Sequence, residues 1–190
     1  MAVHSKSGRV VTCGGLTTNQ VLNSYCYQYD LATNSWSQLT RLRWNAAYGS
    51  AVVTASNQMV ITGGNNAGHI TPSTQILDLK RNHWSLGPEL PYGMWGHCSV
   101  LLPNGDLVVL GGYPDKVNSE VSKYDSMQAV FVAPSIKAAG NQGFHAAGKS
   151  TWYPLPKMSQ GRATHACMIT KYKVNLVDFR MKMFPNHLWF

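Results

Sequence analysis

Acidic side chains are scarce in this 190-residue chain. Eight Asp and Glu stand against sixteen Lys and Arg, and charged residues make up only 13%. Soluble domains carry about a quarter. So few carboxylates leave little material for acid–base catalysis, and no two are adjacent. The patterns Gly-x-Ser-x-Gly and His-Glu-x-x-His are also missing. No apolar run approaches the roughly 18 residues of a membrane helix. The opening residues "MAVHSKSGRVV" lack the apolar heart of a signal peptide. There is no Asn-x-Ser/Thr acceptor and no Cys-x-x-Cys pair. The four cysteines, Cys13, Cys26, Cys98 and Cys167, are few and widely spread, which argues for buried free thiols rather than a disulfide framework. The net charge of +8 is scattered, with a mild excess over residues 171–190 and no basic run interleaved with aromatics. Neither a nucleic-acid surface nor a membrane segment is expected, and an intracellular, cytoplasmic setting is favoured.

What the chain has is apolar strand material, 44% of its residues, and a repeat. Gly-Gly pairs stand at Gly14-Gly15, Gly63-Gly64 and Gly111-Gly112, each after a short β-rich run: "RVVTC", "QMVIT", "DLVVL". A second run follows and ends in an aspartate, at Asp30, Asp78 and Asp125; Tyr29 and Tyr124 precede the first and third. A tryptophan comes next, at Trp36, Trp84 and Trp152. The glycine pairs and the aspartates recur every 47–49 residues, and such a shared period defines a repeat architecture. The runs are strand length and bounded by turn residues, and Asn104-Gly105 between two apolar runs is a hairpin signal.

This order of Gly-Gly strand, Tyr-Asp strand and Trp strand resembles the kelch repeat over roughly residues 9–170. The resemblance implies an all-β fold: a β-propeller arc of four-stranded antiparallel blades. Blade 1 is expected at about residues 9–38, without a clear first strand; blade 2 at about 47–86; blade 3 at about 96–153. A fourth begins at about 163–170 with "ATHACMIT", and residues 171–190 depart from the pattern as a basic, aromatic tail. Three blades and a start leave the ring incomplete and open. The chain then reads as a piece of a larger protein or a truncated product, prone to self-association through open blade faces.

Two stretches invite a chemical reading. "GFHAAGKS", Gly143–Ser150, fits the phosphate-loop pattern letter for letter. That motif needs a helix after its Lys-Ser, but Pro154 and Pro156 follow and Trp152 belongs to a strand. The Asp-to-Trp separation is 6 residues in blades 1 and 2 and 27 in blade 3. The match therefore falls in an insertion of about residues 129–149, between third and fourth strands. His97 and His165 recur on successive first strands, with Tyr48 as the third member, but a metal site needs three or four converging ligands. No catalytic residue, metal or cofactor is expected.

The connections from each fourth strand to the next first strand hold the anchor residues: Arg41, Arg43 and Trp44, then Tyr92 and Trp95, then Arg162. Trp, Tyr and Arg are the typical interface anchors, and kelch proteins bind partners at this end. The expected function is a non-enzymatic protein-interaction module holding a protein or short peptide, with Arg162 pairing an acidic group. Two alternatives stand beside it: the propeller of a secreted carbohydrate-acting or copper oxidase-like enzyme, and a non-functional fragment.

Overall fold

The computed structural model describes residues 2–4, 8–115, 130–133, 152–164 and 166–167. Every regular element among them is a strand. The first sheet is β1 (Ala2–His4), β2 (Val10–Cys13), β3 (Tyr25–Asp30) and β4 (Ser35–Arg41) in that order. The second holds β5 (Ser50–Val53), β6 (Gln58–Thr62), β9 (Thr74–Asp78) and β10 (His83–Leu86), with a small ribbon, β7 (Asn65–Asn66) and β8 (His69–Ile70), in its second connection. The third holds β12 (Cys98–Leu101), β13 (Leu107–Leu110), β15 (Val130–Ala133) and β16 (Tyr153–Leu155). Beside it lies the ribbon of β11 (Met94–Trp95) and β14 (Tyr113–Pro114). All pairings are antiparallel. First strands of neighbouring sheets touch one another, β1 with β5 and β5 with β12, as blades radiating from a common axis require. The fold is an incomplete propeller.

Alternation along each strand makes the core. Met59 and Ile61 of β6 pack with Val11, Cys13 and Cys26 of blade 1. Val60, between them, packs with Leu107 and Val109 of blade 3. A strand apolar on both faces is what two flanking blades demand, and it accounts for the runs "QMVIT" and "DLVVL".

The Gly-Gly pairs are where one blade is sewn to the next. Gly63 and Gly64 both take positive φ, 56° and 103°. A Cβ on Gly63 would lie 2.5 Å from the Met94 carbonyl oxygen, and one on Gly64 would lie 2.9 Å from that of Ala47. No side chain fits, and only glycine takes both conformations readily. The space admits backbone: Gly64 N–H donates to Met94 O at 2.8 Å, and Gly112 N–H donates to Arg162 O at 2.7 Å. Nearer the axis, Gly96 N–H donates to Tyr48 O and Thr164 N–H donates to Gly96 O. Residues 161–164 are thus joined to blade 3 as blade 3 is joined to blade 2.

The repeated aspartates close the outer hairpins. Asp78 Oδ1 accepts the N–H groups of Lys80 and Arg81, both at 2.9 Å, and Asp30 Oδ1 accepts that of Ala32. Asn34 and Asn82, four residues after each aspartate, hold the left-handed position of the turn.

Several expectations change. Blade 1 has a first strand, Ala2–His4, paired with β2. In blade 3 the third strand is Val130–Ala133, inside the expected insertion of residues 129–149. Its register is decisive: Ala133 faces Leu107 as Leu77 faces Met59. The counterpart of Asp78 therefore falls after Ala133, and Tyr124-Asp125 does not mark this strand. The run "VFVA" at residues 130–133 is apolar throughout, as a strand between two sheets requires, and the charged "VSKYD" is not. Trp152 holds the same register as Trp84, since Tyr153 pairs with Val132. The extra length is divided between two connections, residues 111–129 and 134–152. Residues 121–125, Gly143–Ser150, His165 and the tail 171–190 lie outside the described residues.

The cysteines are not free thiols. Cys13 bonds Cys26, its directly opposite neighbour across β2 and β3. Cys98 bonds Cys167 across 69 residues. The same place between blades 2 and 3 is held by a hydrogen bond, from Ser99 N–H to Ser50 Oγ at 2.9 Å. The second disulfide thus takes the place, between blade 3 and the segment after it, of the polar stitch between β5 and β12. The reduced setting inferred from free thiols loses its basis.

Candidate functional site

Connections from second to third strands and from fourth to first strands emerge at one end of the arc. At blade 2 they enclose an open pocket of about 380 Å³. Asn66, His69, Ile70, Thr71 and Pro72 line it from the second connection, Leu86, Gly87 and Glu89 from the segment leaving β10, and Trp44 from the connection entering blade 2.

Trp44 is the anchored wall. Gln75, 1% exposed on β9, grips its backbone twice. The Gln75 amide donates to Trp44 O at 3.0 Å, and the Trp44 N–H donates to Gln75 Oε1 at 3.1 Å. A buried amide must be paired, so this double bond fixes the connection. The indole itself stays 37% exposed, with the Arg43 guanidinium 5.3 Å from its ring centroid. The result is a rigid aromatic surface beside a cation.

A second locus lies nearer the axis. The Trp95 ring sits between Tyr48 and Tyr113, with centroids 5.6 and 4.6 Å away. Tyr48 is exposed and the other two are half-buried. Arg162 joins Gly112 through its backbone carbonyl, next to Tyr113, and is half-buried.

Of the six anchors expected, Trp44 and Arg43 meet at the pocket. Trp95 and Arg162 belong to the aromatic locus. Arg41 is elsewhere: its Nε donates to Ser24 Oγ at 2.9 Å and its guanidinium lies 5.4 Å from the Tyr25 ring centroid. Tyr92 turns inward against the core shared by blades 2 and 3, where burial pushes its hydroxyl pKa up. Gln75 and Tyr113 were not singled out by sequence, and Tyr48 was named only as the counterpart of His97 and His165. Gln75 had a signal, an amide inside the apolar run "TQILDL", which demands a partner.

His97 is buried just before β12 and engages its neighbours through Nε2. Its Nε2 lies 2.9 Å from Thr62 Oγ1, which is 3.0 Å from Ser99 Oγ, so three buried polar side chains hold blades 2 and 3 together. Gly49, not Tyr48, takes the place of His97 in blade 2, because Tyr48 and Gly96 are the equivalent backbone positions. Among the described residues no three His, Cys, Asp or Glu side chains gather as metal ligands. The segment after the phosphate-loop match is strand β16, not the helix that motif requires.

The Kelch motif family matches residues 46–91, blade 2 with its entry. The F-box/kelch-repeat protein At1g67480 of Arabidopsis thaliana is 30% identical over 104 residues, covering 54% of this chain and 27% of the relative. The tRNA wybutosine-synthesizing protein 4 of Saccharomyces cerevisiae is 28% identical over 96 residues, covering 46% of this chain and 14% of the relative. The solved structure of YjhT shares the fold at 16% identity, with a TM-score of 0.63, covering 84% of this chain and 55% of that one. The matched region spans about a quarter or less of these curated relatives.

Proposed function

We propose that this chain, whose blades are kelch repeats in a partial β-propeller, is a non-enzymatic protein-interaction module that captures a peptide segment of its partner at the Trp44 pocket. One observation carries this reading: the Trp44 backbone is clamped by buried Gln75 while its indole remains open to solvent. A pre-ordered aromatic wall binds without first losing conformational freedom. The pocket volume suits one or two side chains, not a folded domain. Ile70, Pro72 and Leu86 favour an apolar anchor residue, and Asn66 and Thr71 offer hydrogen bonds to peptide backbone. The Tyr48–Trp95–Tyr113 stack is the second contact along the same end, with Arg162 beside it for an acidic group. The kelch-repeat names of relatives support an interaction role in general terms.

The test is selection of binders from a random peptide display library on the immobilised chain. Enrichment that depends on Trp44 supports the reading. Enrichment unchanged by Trp44→Ala removes the pocket from it.

The two disulfides favour a second reading, a secreted propeller portion of a carbohydrate-acting or copper oxidase-like enzyme, because disulfides persist in oxidising compartments. Its metal would need ligands beyond those described: the cysteines are bonded to each other and His97 is engaged with Thr62. Stoichiometric copper on the purified chain would establish it over the first.

A further inference from the structure

Tyr48, Gly96 and Thr164 occupy the same backbone position, each at the entry to a first strand. All three are left-handed, with φ of 59°, 64° and 52°. Gly96 N–H donates to Tyr48 O at 2.7 Å, and Thr164 N–H donates to Gly96 O at 2.6 Å. Glycine adopts this conformation readily, whereas tyrosine and threonine are strained in it. Tyr48 carries the largest side chain of the three and is 51% exposed, so burial does little to offset its strain. Strain held at an exposed aromatic points to a contact made outside the fold.

The planes of the Tyr48 and Trp95 rings meet at 60°, and those of Trp95 and Tyr113 at 33°. Each ring is at least partly exposed. Two such rings tilted by 60° form a notch with aromatic walls. Among the described residues, no hydrogen bond engages the Tyr48 hydroxyl, the Tyr113 hydroxyl or the Trp95 indole N–H. The backbone acceptors here are already taken. Tyr48 O accepts from Gly96, Gly96 O from Thr164 and Met94 O from Gly64, while Trp95 pairs with Tyr113 across β11 and β14. The locus therefore offers ring faces and donors, and its neighbouring carbonyls are occupied.

We propose that this notch takes a proline-rich segment of the partner in the polyproline II conformation. Proline has no N–H, and polyproline II leaves its carbonyls without internal partners. Such a ligand brings acceptors to the two hydroxyls and the indole N–H. It brings no donor that would be left unpaired against occupied carbonyls. Its pyrrolidine rings pack between aromatic walls, and its backbone is already extended, so little freedom is lost on binding. The proposal rests on the reading of this end as a peptide-binding surface and names the chemistry that its second contact selects. It stands on Tyr48, Trp95 and Tyr113 and not on Trp44.

Titration of the isotope-labelled full chain with decaproline, and with a decapeptide of alternating Gly and Ser, tests it through the indole N–H resonances. The Trp95 signal, identified by its loss in Trp95→Phe, is expected to shift saturably with decaproline and not with the Gly-Ser peptide. Tyr48→Gly, which copies Gly96, is expected to bind decaproline at least tenfold more weakly and to unfold at no lower a temperature than the wild type. Trp44→Ala is expected to leave the decaproline titration unchanged. A Trp95 signal unmoved by decaproline, or moved equally by both peptides, overturns the proposal. So does a Tyr48→Gly chain that keeps wild-type affinity, or one that unfolds at a lower temperature, since Tyr48 would then serve packing. Loss of decaproline binding in Trp44→Ala also overturns it, because the peptide would then occupy the pocket. If the notch fails while library enrichment still depends on Trp44, the pocket reading stands without it. If that enrichment fails while decaproline still moves Trp95, the notch stands without the pocket.

Discussion

The indole Nε1 of Trp152 donates to the carbonyl oxygen of Pro88 at 3.2 Å, joining the outer edge of blade 3 to the connection that leaves blade 2. The ring fills the wedge that widens between two blades as they leave the axis, within the cluster of Val60, Ile76, Leu90 and Leu107. Trp152→Ala removes both packing and hydrogen bond and leaves a cavity. A loss of about 3–5 kcal/mol is expected in urea unfolding. Trp152→Phe keeps most of the volume and loses less. Equal losses would show that the wedge does not depend on ring volume.

The Gly-Gly pairs separate two costs of adding a side chain. At Gly63, alanine meets the Met94 carbonyl and a positive φ together. At Gly15, φ is 93° and nothing lies within 4 Å. Gly15→Ala is expected to cost about 1–2 kcal/mol from conformation alone. Gly63→Ala is expected to cost several kcal/mol more or to prevent folding. The comparison is made by thermal unfolding of the two variants.

Both disulfides are expected in non-reducing peptide mapping, as Cys13–Cys26 and Cys98–Cys167, with no free thiol among the four cysteines. Their loops differ, with separations of 13 and 69 residues. In the chain-entropy account the longer loop stabilises more, about 4 against about 3 kcal/mol. The double substitution Cys98→Ser with Cys167→Ser should therefore lower stability more than Cys13→Ser with Cys26→Ser. A larger loss from the short-loop pair would contradict the entropic ordering.

Asp78 predicts an acid-side effect. Burial raises its pKa, but the N–H groups of Arg81 and Lys80 and the Arg81 guanidinium outweigh that and hold it below the usual value of 3.8. A carboxylate with a depressed folded pKa stabilises the fold above its unfolded value. That contribution is lost as pH falls through the folded value, below about 4. Its Arg81 partner is largely exposed, so screening limits the effect to on the order of 0.5 kcal/mol. Asp78→Asn should lower stability at neutral pH and flatten the fall between pH 5 and about 3. An unchanged acid limb would show that the turn bonds work without the charge.

Much of the architecture was legible because the repeat imposes the same physical need three times. Gly63 is glycine because the Met94 carbonyl at the entry to the next blade occupies its Cβ space, and Gly64 and Gly112 because carbonyls at the entry to their own blades, of Ala47 and Trp95, crowd theirs. Asp30 and Asp78 recur because the outer turn needs an acceptor. The reading failed where a single copy was judged by letters rather than by burial. Tyr124-Asp125 matched the marker in spelling, yet the strand is Val130–Ala133, which two neighbouring sheets can bury. The disulfides were hidden by sequence distance. Cys98 on β12 and Cys167 beyond β16 are 69 residues apart and meet only because residues 161–164 are joined to blade 3. At the site, Trp44 was visible as an aromatic in a connection. Its clamp by Gln75, 31 residues away, becomes visible only when blade 2 folds beside it.

The most direct measurement is the affinity of a library-selected peptide for four forms of the chain by titration calorimetry: wild type, Trp44→Ala, Gln75→Leu and Tyr153→Ala. The account predicts at least 30-fold weaker binding for Trp44→Ala, about 2 kcal/mol. It predicts a smaller loss for Gln75→Leu, which frees the connection but keeps the indole, and none for Tyr153→Ala. Equal affinity of the wild type and Trp44→Ala would contradict it.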